Sequence, residues 1–160
     1  MSLFETTALT ASGVSEDSQT AGAVKLRANV LELTQVAENA VLRPAEPGGL
    51  PHDLRAALAA RIARLCGQTD LAEKYLAGAR ARAALADPGS ESADAGLGAL
   101  IAFVDKVAAR TASMTAEDVS GLQQAGYSDA DVVRICELNA FFAYQARLIA
   151  GLRLMNGKTP

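Results

Sequence analysis

The chain has little of what most chemistry needs. Tryptophan is absent, histidine occurs once, cysteine twice, and the aromatic set is four Phe and three Tyr. A single imidazole excludes any mechanism that needs two. With no Cys-x-x-Cys or His-x-x-x-His, no metal site or cofactor is expected. Two cysteines in 160 residues make no disulfide framework, and a reducing cytoplasm is the expected compartment. No basic run exceeds two residues and the net charge is only −3, so no nucleic-acid footprint is expected. The uncharged run 138–146 is far short of the roughly 20 residues of a membrane span. Met1 to Thr20 has neither a basic start nor an apolar stretch, so it does not read as a secretory signal.

What is present is apolar residues, half of the total, with alanine prominent. That composition favours helices that approach one another closely. Residues 1–20 are rich in Ser, Thr, Gly and acidic residues and read as a mobile tail. From Ala21 a helical period appears, carried by Val24, Leu31, Val36 and Ala40, and it stops at Arg43-Pro44. Pro51 and Asp53 suit the first turn of a second helix, with Leu54, Leu58, Ile62 and Leu65 as its buried stripe and Arg55, Arg61 and Arg64 outside it. Gly67 ends or kinks that helix, and a third starts at Thr69 or Asp70 and runs to about Ala86. A fourth spans about Ala93 to Thr111. Thr115-Ala-Glu-Asp118 has the form of a capping box and opens a short helix that stops at Gly126.

Ser128-Asp-Ala-Asp131 caps the last helix, which runs to about Leu154 and is apolar on more than one face. Such a helix is buried on all sides, and a small domain has little protein with which to bury it, so subunit contacts are expected. Glu137 and Arg147 are among its few charges. Buried there they would need partners, and an ion pair between subunits is the natural one. No alternating strand pattern occurs. The expectation is an all-α domain of about six helices over residues 21–156, with a tail at 157–160, forming a dimer, trimer or hexamer.

The order of these pieces resembles the carboxymuconolactone decarboxylase-like superfamily, in its alkylhydroperoxidase (AhpD-like) branch. The resemblance is carried by Gly49–Gly67, by Leu100–Arg110, and by Met114–Val133 leading into Asn139–Arg147. It covers about residues 21–155. It implies an AhpD-like helical fold, a homo-oligomer, and reduction of small hydroperoxides by an external thiol. Redox members of the family carry Cys-x-x-Cys-x-x-x-His after the glycine and a glutamate about three turns earlier. Aligned on Gly67, those positions are Gln68, Leu71, Tyr75 and Ala56 here.

Cys66 is the remaining thiol in this region. A register shift of two residues gives Cys66-Gly-Gln-Thr69, a one-cysteine site in which the thiol lies near the N-terminus of the next helix, where a thiolate is stabilised, and Thr69 hydrogen-bonds the sulfur. The rival readings are a redox-inactive member that binds a small apolar ligand or serves as a structural oligomer, and decarboxylase or lactone chemistry without the dithiol. Cys136 reads as core, and His52 as an exposed residue at a helix start. Asp70, Glu73 and Lys74 read as a solvated face, or else as the lining of a small pocket beside Tyr75 and Tyr144.

Overall fold

The computed structural model describes residues 2–158. Among them all regular structure is helical: α1 (Thr7–Ser12), α2 (Ala21–Lys25), α3 (Ala28–Leu42), α4 (His52–Leu65), α5 (Thr69–Ala79), α6 (Ala95–Arg110), α7 (Ala116–Gln124) and α8 (Asp129–Met155). No helix among the described residues is long and apolar enough to cross a membrane. The chain divides into two compact units, Met1–Ala40 with Tyr144–Pro160, and Val41–Ala143. Of the tail expected at 157–160, residues 159 and 160 lie outside the described residues.

In the unit Val41–Ala143, α4 is the central element. Its run of alanines lets neighbours close in: Ala57, Leu58, Ala59, Ala60, Ile62 and Ala63 are all fully buried. Helix α5 approaches so nearly that a Cβ placed on Gly78 would sit 3.1 Å from the Ala56 methyl. The turn between them is a Schellman stop. Gly67 takes φ 73°, its N–H donates to the Arg64 carbonyl (2.9 Å), and the Gln68 N–H donates to the Ala63 carbonyl (2.8 Å).

Two arginines expected on the outer face of α4 are inside. Arg55 and Arg61 are 2% and 1% exposed. Arg55 donates from Nε to the Leu50 carbonyl (2.8 Å), from Nη1 to Val41 (2.8 Å) and from Nη2 to Pro47 (3.0 Å). It thereby satisfies the carbonyls at the end of α3 and in the connector that follows. Burial, and then the Arg134 charge, lower its pKa, opposed by Glu137 and Asp131. A guanidinium still keeps its proton.

The helix expected to run on to Ala86 stops at Ala79. Arg80 takes φ 50°, and Arg80–Ala86 continues as a tighter 3₁₀ stretch. This detour carries the carbonyls of residues 85–88 to the Arg61 side chain. Both remaining caps form as the sequence implies. The Asp118 carboxylate accepts the Thr115 N–H (2.8 Å) at the start of α7, and Gly126 closes that helix at φ 97°. At the start of α8, Asp131 accepts the Ser128 hydroxyl (2.7 Å) and the Gly49 N–H (2.9 Å).

In the other unit, residues expected to form a mobile tail are folded. Leu3–Glu5 is a 3₁₀ turn, α1 follows, and Leu9 is fully buried with Ala8 and Val14. The reason is a set of long-range bonds. The Thr7 N–H donates to Gln35 Oε1 (2.7 Å) and its hydroxyl to Glu38 Oε1 (2.9 Å). Gln145 Nε2 donates to the second Glu38 oxygen (2.6 Å), and Arg153 Nη2 to the Ala11 carbonyl (2.9 Å).

Candidate functional site

The α4–α5 turn carries the residues singled out for thiol chemistry. Cys66 is half-buried, and it caps the C-terminal end of α4, its N–H donating to the Ile62 carbonyl at 2.9 Å. That is the carbonyl end of a helix, which favours positive rather than negative charge. The N-terminus of α5, which favours the opposite sign, begins only at Thr69, beyond Gly67 and a buried Gln68. The two helix ends thus oppose each other at this thiol. Thr69 is exposed in the first turn of α5. Arg64, the nearest cation in sequence, is committed to Glu73 across the turn at 2.8 Å.

The four positions that the sequence resemblance aligned with redox residues are built into the packing. Gln68, Leu71, Tyr75 and Ala56 are 4%, 0%, 4% and 8% exposed. The Tyr75 ring meets Phe142 edge-on with centroids 4.9 Å apart, and Ala56 lies under Gly78. Nothing in this cluster carries a proton at ordinary pH in the way a Glu–His relay would.

The remaining expected residues are dispersed. His52 is exposed at the start of α4 and its Nε2 donates to the Pro44 carbonyl at 3.0 Å. Asp70, Glu73 and Lys74 are exposed, Tyr75 is packed on Phe142, and Tyr144 shares a 3.0 Å hydrogen bond with Thr34. Cys136, expected in the core, is exposed on α8, where its neighbours Ile135 and Leu138 take the buried side. Burial of the sulfur against neighbouring atoms, and then the Glu137 charge, raise the pKa of this thiol, which reduces its thiolate fraction. Neither cysteine is in a disulfide. No group of three or more His, Cys, Asp or Glu side chains among the described residues is placed to hold a metal.

Sequence reasoning missed the most connected polar side chain, Arg61. Its Nε and Nη2 donate to the two Asp105 oxygens at 2.6 and 2.7 Å. Nη2 also meets the Pro88 carbonyl (3.0 Å), and Nη1 meets the carbonyls of Leu85 (3.0 Å) and Asp87. Arg61, Asp105 and the loop through Ser90 border an open cavity of about 420 Å³. All the guanidinium N–H groups already have acceptors and both carboxylate oxygens have donors, so the pair organises the loop and offers nothing strong to a ligand. Partners 24 to 44 residues away leave no local pattern from which this could have been read.

No family model, curated protein or solved structure matches this chain. The superfamily resemblance therefore rests on the residues quoted for it.

Proposed function

We propose that this chain is a redox-inactive relative of the AhpD-like proteins, acting as a cytoplasmic, homo-oligomeric structural subunit. One observation carries the reading. The positions corresponding to the dithiol, the histidine and the glutamate are Gln68, Leu71, Tyr75 and Ala56, and all four side chains are packed in the core. A core of this kind gives shape and stability, and leaves neither a resolving thiol nor a proton relay. In the cavity beside Arg61, the guanidinium and the Asp105 carboxylate are committed to each other and to the loop, which weighs against their use in decarboxylase or lactone chemistry.

A second reading, a one-cysteine alkylhydroperoxidase, is favoured by the partial exposure of Cys66 and its place outside any disulfide. In it the Cys66 thiolate attacks the peroxide, the O–O bond breaks to release an alcohol, and the resulting sulfenic acid is reduced by two equivalents of an external thiol with loss of water. Thr69 would orient the sulfur.

Intact mass after brief exposure to a near-stoichiometric organic hydroperoxide, followed by peptide mapping, separates the two. The structural reading predicts no rapid oxygen addition at Cys66 in the folded chain. Fast addition confined to Cys66, and blocked by prior alkylation, would replace it with the peroxidase reading.

A further inference from the structure

Helices α1 and α8 end against each other, both within the unit Met1–Ala40 with Tyr144–Pro160. They stop in the same way, with Gly13 and Gly157 each at φ 70°. At the end of α1 the Val14 N–H donates to the Leu9 carbonyl at 3.1 Å. At the end of α8 the Lys158 N–H donates to the Arg153 carbonyl at 2.9 Å, and the Gly157 N–H to the Leu154 carbonyl at 3.1 Å. Three side chains of the α8 stop then clamp α1. Arg153 reaches the Ala11 carbonyl from Nε (3.3 Å) and Nη2 (2.9 Å), and Asn156 Nδ2 donates to the Gly13 carbonyl at 3.2 Å. The Lys158 ammonium lies beside Gly13. All three present a donor or a cation, as the carbonyl end of a helix favours.

Asn156 is also the one asparagine of four that a glycine follows. With no Cβ on that glycine, its amide nitrogen can come close to the asparagine side chain. Once deprotonated, the Gly157 nitrogen attacks Asn156 Cγ. The new C–N bond closes a five-membered imide, the Cγ–Nδ2 bond breaks and ammonia leaves. Water then opens the imide to aspartate or isoaspartate, and the lost ammonia makes the change one-way. The folded stop holds this reaction back, because the attacking nitrogen gives its hydrogen to Leu154 and Asn156 Nδ2 is turned to Gly13. Gly157 is exposed and Asn156 half-buried, so the stop belongs to the part of a fold that opens at least cost.

We propose that Asn156–Gly157 is a self-modifying site: opening of the α8 stop lets Asn156 deamidate, and the product releases α1. The new carboxylate sets an acceptor against the Gly13 carbonyl where a donor stood. It also draws the Arg153 and Lys158 cations away from the end of α1. In the isoaspartate product the backbone is one carbon longer, which breaks the register of the two stop bonds.

Peptide mapping during incubation at mildly alkaline pH tests the site. Asn156 is expected to convert before Asn29, Asn39 or Asn139 converts measurably, and about tenfold or more slowly than in the same chain unfolded in urea. Conversion no faster than at the other three asparagines would overturn the proposal. Equal rates in the folded and unfolded chain would remove the gating by the stop and overturn it too.

Hydrogen exchange tests the consequence. In the converted chain, amides of residues 7–14 are expected to exchange about threefold to tenfold faster than before incubation. Asn156→Gln is the control, because its longer side chain keeps the amide and closes a six-membered ring far more slowly. Incubated alongside, this variant is expected to keep its exchange unchanged. Unchanged or slower exchange in the converted parent would overturn the release of α1. An equal rise in Asn156→Gln would assign the loosening to another lesion and overturn it as well.

Discussion

Helices α4 and α8 invert what their compositions suggest. Helix α4 carries three arginines in its 14 residues and is the most deeply buried element, whereas α8 carries a long apolar sequence and keeps an open face. The difference lies in partners. Arg55 and Arg61 are inside because carbonyls stripped of water need donors, and a guanidinium supplies several in one plane. On α8, Val133, Tyr144, Leu154 and Met155 stay exposed. Burial here follows from what a side chain finds to bond or touch, not from its class.

The sharpest way to break this contrast is to remove the partner that holds α4 inside. Arg61→Met leaves the Asp105 carboxylate and the carbonyls of the 85–88 loop without their donor. It is expected to cost about 3–5 kcal/mol in urea unfolding, and adding Asp105→Asn should recover only part, since the carbonyls stay unpaired. A loss near zero would mean that the loop finds water instead.

Next in size is Ala56→Glu, which places a carboxylate at the position that the resemblance aligns with the superfamily's acid. With Gly78 pressed on Ala56, the larger charged side chain has neither room nor partner, and a loss of about 3 kcal/mol or more is expected from the same unfolding measurement. Unchanged stability would show that α4 and α5 separate more easily than their packing implies.

At the start of α8 the expected effect is a pH dependence. The Ser128 hydroxyl, then the Gly49 N–H and the other donors, hold the Asp131 pKa below its ordinary value, against the opposing effect of burial. A carboxyl that is more acidic in the folded chain than in the unfolded one stabilises the fold above its unfolded pKa of about 4. That stability is lost as the pH falls from there through the lower folded value. Asp131→Asn should lower stability at neutral pH and flatten this acid limb, read from urea midpoints at a series of pH values.

The smallest effect belongs to the open face. Val133→Ser removes an exposed methyl pair, and in dilute monomer it should change stability by no more than about 0.5 kcal/mol. A much larger loss would place Val133 in the core of the single chain and remove the contrast with α4.

How much of this was legible beforehand depended on distance along the chain. The stops and caps are local, so Gly67, the Thr115–Asp118 box, Gly126 and the Ser128–Asp131 cap could all be read from a few adjacent residues, and with them the ends of α4, α7 and α8. Helix α1 could not. Six residues do not hold a helix alone, and its support comes from Gln35 and Glu38, 28 and 31 residues away. The early end of α5 was hidden for a similar reason, because Arg80 leaves the helix where the next segment turns toward Arg61. At the thiol site, the sequence located Cys66 at a helix junction. Which end of which helix faces it, and the commitment of Arg64 to Glu73, required the fold. Cys136 was misplaced because an apolar neighbourhood in sequence does not say which face of a helix is covered.

The measurement closest to the proposed function, a homo-oligomeric structural subunit, is sedimentation velocity of the unaltered protein over a wide concentration range. The proposal predicts a mass that rises above 16.5 kDa toward a whole multiple of that value as concentration increases. A single-chain mass throughout would contradict it.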